Sequence, residues 1–217
     1  MNNYFYFGIN FRLQIYILNH ILPQYKMLDK AHGIEHIEYV IARSVKLAKK
    51  YKLNVDMMYC IAAFHDIGML INREGHEDYG AEVLKTDEII CKLFNSHQIE
   101  IMQCAIKEHR ASYKGMYTSI YSKAVSEADR SFDIYLMTKR SIAYGISKFP
   151  QYSYEQHYKR TYEYLKEKYG ENGYSRMVLY FEEDAGKLEH VQEILKDEIT
   201  FEKIFYICYN KCTEGNK

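Results

Sequence analysis

Residues 62–68 read AAFHDIG, so an apolar run ends in an adjacent imidazole and carboxylate, His65 and Asp66. Nine His and nine Asp in 217 residues make one such dipeptide ordinary by chance. The pair therefore counts only if the chain gathers partners for it. Four other stretches carry groups of the same kind. DKAHGIEHIEYV holds His32 and His36, REGHEDYG holds His76, KEHRAS holds His109 and Arg110, and SEADRSFD holds Glu127, Asp129, Arg130 and Asp133. Imidazoles combined with carboxylates suit a borderline-to-hard divalent ion such as Mn, Fe, Co, Ni, Zn or Mg. Such an ion polarises a phosphoryl oxygen and lowers the pKa of a coordinated water. Adjacent ligands at a helix end reach one ion only where the backbone leaves regular helix, and Gly68 eases that departure. Arg110, Lys114 and Arg130 lie beside these groups in sequence, and a guanidinium matches a phosphate bidentately. Glu74, close to His76, is placed to orient a water.

The elements that must position these residues are helical. Ile34, Ile37, Val40/Ile41, Val45 and Ala48 form one stripe, with Asp29 as a cap upstream and His32 and His36 four apart on one face. A helix over 55–66 is apolar nearly all round from Cys60 to Phe64, which makes it central, and Gly68 is expected to end it. Short helices follow over 77–85 and 87–94, then longer ones over 97–109, through TSIYSKAVSEADRSFD, and over 132–147. Ser153 and Gln156 make a capping box opening a helix to about Tyr169, with Gly170 as its stop. One or two more helices fill 186–212. Near the start, Phe11, Ile15, Leu18 and Leu22 fall on one face of a docking helix that stops near Pro23. No segment alternates with period two, so the fold class is all-α. The expected organisation is a docking helix (1–26), a metal-binding core (27–150) and a C-terminal helical extension (151–217) packed on that core as one domain.

Composition narrows the partners. The formal net charge is zero, so no basic nucleic-acid footprint is present and no nucleic-acid partner is expected. No stretch reaches the roughly 18 apolar residues of a membrane span, and no membrane partner is expected. Five Cys without a C-x-x-C pair read as reduced thiols, which fits a cytoplasmic protein. The 23 Tyr are spread along the chain and read as packing at helix surfaces. A homo-oligomer is left open.

The order His, His-Asp, Asp on helices resembles the HD-domain superfamily of metal-dependent phosphohydrolases. The resemblance rests on HGIEHIEYV, AAFHDIG and EADR and spans roughly residues 28–145. HRAS through EADR is further similar to a bacterial subgroup of HD hydrolases. The resemblance implies an HD-like helical bundle, with the C-terminal helices as an addition to it. It implies His36, His65, Asp66 and Asp129 as ligands of one divalent metal ion. His36 is preferred to His32 because the family's ligand precedes an xxxV turn, here Val40. The implied reaction is attack of a metal-activated water on a small phosphorylated molecule or nucleotide. Asp66 would also help activate the water, and His76 or His109 would protonate the leaving group. Arg110, Lys114 and Arg130 would bind the phosphate. The rival reading is a non-catalytic metal- or nucleotide-binding regulatory module of the same fold. The sequence has no G-Y-P motif and no adjacent His pair, which separates it from the cyclic-dinucleotide phosphodiesterases of the superfamily.

Overall fold

A computed structural model describes residues 6–29 and 31–214, and among them there is no strand. α1 (Phe11–Tyr16) runs into a π-helical stretch (Ile17–Ile21) and a 3-10 stretch (Leu22–Met27). Then come α2 (Ile34–Lys50), α3 (Val55–Phe64), a 3-10 turn (Ile67–Leu70), α4 (His76–Thr86), α5 (Glu88–Leu93), α6 (Ser96–Lys107) and α7 (Ile120–Asp129). α8 (Ile134–Lys148), α9 (Tyr154–Tyr169), α10 (Lys187–Lys196) and α11 (Glu198–Glu214) follow. The all-α expectation holds. The chain forms two compact units, Met1–Leu28 with His32–Asp129, and Asp29–Ala31 with Arg130–Lys217. α8 thus belongs to the second unit, whereas the sequence pattern set a division near residue 150.

In the first unit α3 is the central element. Every residue from Met57 to Phe64 is buried, as its all-round apolar composition requires. Ile37, Val40 and Leu47 of α2, Met102 and Ile106 of α6, and Ala124 and Val125 of α7 are buried with it. Each large apolar side chain so enclosed contributes about 1.5–3 kcal/mol of transfer free energy. The end of α3 comes close to α4 through two glycines. A Cβ on Gly68 would lie 2.0 Å from the His76 carbonyl oxygen and 2.5 Å from the Gly80 nitrogen. A Cβ on Gly80 would lie 3.0 Å from the Phe64 carbonyl oxygen. This close approach is what carries His76 to the neighbourhood of His65 and Asp66.

Four local expectations are corrected. Gly68 does not end α3, which stops at Phe64; it sits inside the following 3-10 turn, where its missing side chain admits the backbone of α4. The buried face of the N-terminal segment is Leu13, Ile17, Ile21 and Tyr25, while Phe11 and Ile15 are exposed. The segment is apolar on more than one face, and the π-helical turns shift its register, so simple spacing selected the wrong stripe. Asp29 does not cap α2; its carboxylate accepts from the Ala31 N–H, and Gly33 stands at the N-cap. His32 lies in the turn before α2 and so does not share a helical face with His36.

The second unit has its own core, built from Phe132, Ile142, Leu165, Val191, Leu195, Phe201 and Phe205. The Ser153–Gln156 capping box opens α9 as its sequence requires. The tyrosines of α9 serve as packing surface. Tyr154 and Tyr158 stand edge-on to Phe205 of α11 at 5.3 and 5.2 Å between centroids.

Candidate metal centre

The helix ends of the first unit fix three imidazoles in the same way. His65 follows the last residue of α3, and its Nδ1 lies 2.7 Å from the Ala62 carbonyl oxygen. The Nδ1 of His109, just past α6, lies 2.6 Å from the Ile106 carbonyl oxygen. The Nδ1 of His76, at the start of α4, lies 3.0 Å from the Arg73 carbonyl oxygen. In each case the partner is the carbonyl three residues back. A carbonyl only accepts, so Nδ1 carries the proton, and in the neutral ring Nε2 is left with its lone pair. The remaining carbonyl load at the end of α3 is shared by Tyr25, whose hydroxyl donates to the Ala63 oxygen at 2.9 Å. Asp66 leaves the helix with φ −106° and ψ 0°, which turns its carboxylate away from the direction regular helix would give. At the end of α7, Arg43 donates to the carbonyl oxygens of Glu127 and Ala128, holding the turn from which Asp129 projects.

The freed atoms meet around Asp66. Its Oδ2 lies 3.5 Å from His36 Nε2 and 3.2 Å from His65 Nε2. Asp129 Oδ1 joins that group at 3.1 Å from His36 Nε2 and 3.8 Å from His65 Nε2. The other oxygen of Asp66, Oδ1, lies 3.2 Å from His76 Nε2 and 3.6 Å from His109 Nε2. His76 and His109 point their Nε2 atoms at each other across 3.4 Å. Two groups, His36–His65–Asp66 and Asp66–His76–His109, each place one ligand atom per residue within 4.8 Å of the others, and all five residues are buried. The Asp129 side chain is 23% exposed and marks the side open to solvent.

This arrangement fits divalent ions on its own geometry. Ligands about 2.1 Å from one ion stand about 3.0 Å apart at octahedral corners and about 3.4 Å apart at tetrahedral ones, which matches the spacings within both groups. His65 Nε2 is buried and 3.2 Å from Asp66 Oδ2 without meeting the geometry of a hydrogen bond, which suits a ligand atom. Two neutral imidazoles facing each other through lone pairs, with a carboxylate oxygen beside them, require a cation or a proton between them. In the absence of an ion the charges support one another. Burial alone would lower the pKa of His65, but Asp66 and Asp129 outweigh it and hold it at about 9. Burial would raise Asp66, but His65, His109 and His36 keep its carboxyl well below the usual range. Asp129 is likewise held low against burial, chiefly by His36.

A family model described as HD domain matches residues 33–131. That segment is an HD domain. The match begins just before α2 and ends just after Asp129, so it covers all five residues of the two groups and Asp129. No curated protein and no solved structure matches the chain.

Within the HD domain the expected residues divide as follows. His36, His65, Asp66 and Asp129 come together, and His76 and His109 join them through Asp66. Arg110, 42% exposed by its side chain, stands at the rim, bound through Nη1 to both oxygens of Glu77 at 3.0 and 3.3 Å. Lys114 is exposed in the loop between α6 and α7. Arg130 belongs to the second unit and is 3% exposed, so it presents almost no surface to a solute. Glu74 is exposed, and the acid that reaches His76 is Glu77, at its Nδ1. Sequence reasoning missed Glu77, Tyr25 and Arg43. Glu77 had one signal, its place directly after His76; the other two act over long sequence separations that no local pattern records.

Proposed function

We propose that this chain is a phosphohydrolase that works with two divalent ions, both of which Asp66 would help to hold. The HD domain belongs to a superfamily of metal-dependent phosphohydrolases, which supports the reaction class. One observation carries the reading. Asp66 turns one oxygen to His36 and His65 and the other to His76 and His109, with the four Nε2 atoms 3.2 to 3.6 Å from those oxygens. His36, His65, Asp66 and Asp129 would hold one ion, and Asp66, His76 and His109 the other. In this reading His76 and His109 are ligands rather than leaving-group acids, because their Nε2 atoms lie 3.2 and 3.6 Å from Asp66 Oδ1 and 3.4 Å from each other. Bound ions there supply Lewis acidity toward a phosphoryl oxygen and an acidified water.

The chain's own residues do the rest. Asp66 and Asp129 balance the cationic charge, and the carbonyls of Ala62, Arg73 and Ile106 hold the rings in the coordinating tautomer. Arg110 uses one nitrogen on Glu77 and offers its remaining N–H groups to a phosphate, with Lys114 further out on the same loop. The substrate class we propose is a small phosphorylated molecule or nucleotide. Zero net charge argues against a nucleic-acid substrate. No helix among the described residues is long and apolar enough to cross a membrane. We propose a cytoplasmic location, which suits free cysteines.

The test is a panel of phosphomonoesters, phosphodiesters, nucleoside polyphosphates and pyrophosphate, each assayed with Mn, Fe, Co, Ni, Zn and Mg. Turnover of at least one class that chelation abolishes and metal restores is the expected result. Metal binding without turnover on any member would favour the non-catalytic HD module instead.

A further inference from the structure

We propose that Glu77 is a positioning residue for His76 and its ion, and that Arg110 holds Glu77 in that position. The inference rests on the two-ion reading above. His76 Nδ1 stands between two acceptors, the Arg73 carbonyl oxygen at 3.0 Å and Glu77 Oε2 at 3.4 Å. The carbonyl fixes the tautomer, and the carboxylate adds a negative charge on the far side of the ring from the centre. An imidazole backed by a carboxylate is a more basic ligand, and it is oriented before the ion arrives.

Glu77 is itself oriented. Both of its oxygens accept from Arg110 Nη1, at 3.0 and 3.3 Å, and its side chain is 20% exposed. It also lies in the first turn of α4, where the helix favours a negative charge. The sequence carries this device as two dipeptides, His76-Glu77 and His109-Arg110. They meet twice, imidazole to imidazole at 3.4 Å and carboxylate to guanidinium at 3.0 Å. Each ligand histidine of the second group therefore brings, as its next residue, half of the brace that orients the group. In the first group, among the described residues, the Nδ1 of His65 meets the Ala62 carbonyl and no carboxylate.

The experiment titrates the full chain with Co(II), followed by calorimetry and by the visible ligand-field spectrum. The wild type is expected to bind two ions. Glu77→Gln, which keeps the shape and removes the charge, should bind the first with unchanged affinity and the second about 10- to 100-fold more weakly. Arg110→Ala should weaken the second ion in the same direction, and Arg110→Lys should restore part of the loss. The charge-swapped double variant Glu77→Arg with Arg110→Glu separates positioning from a plain structural tie. It rebuilds the ion pair without returning a carboxylate to His76, so its second ion should stay weak. Unchanged first-ion binding in every variant shows that the domain is folded. Two ions in the wild type and undiminished second-ion affinity in Glu77→Gln would overturn this inference alone. Fewer than two ions in the wild type would overturn the two-ion reading and this inference with it.

Discussion

At the scale of residues, the division of labour turns on which atom of each side chain is already committed. His109 gives Nδ1 to the Ile106 carbonyl and keeps Nε2 for the centre, so an ion bound there would occupy the nitrogen that a leaving-group acid needs. His109→Ala should therefore reduce the bound metal from two ions to one and lower turnover at least about 100-fold, whereas a leaving-group acid would lose rate with both ions retained. Elemental analysis alongside kcat reads the difference. The residue types were legible in the sequence because His65-Asp66, His36 and Asp129 recur in a known order. The orientation of His76 and His109 was not, because it depends on what Nδ1 touches, and each carbonyl partner is set by how a helix begins or ends. Glu77 was passed over for Glu74 for the same reason. Both lie close to His76 in sequence, and only the start of α4 at His76 decides which of them turns toward it.

At the scale of elements, the centre depends on how closely α4 approaches the turn after α3. Gly68→Ala would put a methyl group 2.0 Å from the His76 carbonyl oxygen and 2.5 Å from the Gly80 nitrogen. Backbone cannot yield as a side-chain tip can, so the variant should lose about 3 kcal/mol and displace His76. Denaturant unfolding, with metal binding measured in parallel, tests both effects. A wild-type midpoint would show that α4 moves freely there. Elements with strong local signals were readable, such as the capping box of α9 and the all-round apolar run of α3. The N-terminal stripe was not, because a segment apolar on several faces lets tertiary contacts choose, and its π-helical turns break the 3.6-residue count. Gly68 was readable as special but not as to why; a close approach and a helix stop leave the same letter in the sequence.

At the scale of the whole molecule, stability in acid should carry a mark of the second unit as well as of the centre. His157 is 2% exposed, and burial, helped by the charge of Arg160, holds it below its usual value of 6.5. The unfolded chain takes up a proton there before the folded chain does, so the stability tied to this residue is complete above about 6.5 and falls as the pH drops below it. His157→Phe should therefore gain relative to the wild type in thermal midpoint between pH 7 and pH 5. Parallel curves for the two proteins would contradict a buried neutral imidazole. For the centre itself, the most direct measurement is the metal content of the purified chain after reconstitution and removal of excess ion. The account predicts two divalent ions per wild-type chain and none held by Asp66→Ala, because that one carboxylate serves both groups of ligands. A wild-type chain that retains fewer than two ions, or an Asp66→Ala chain that keeps two, would contradict it.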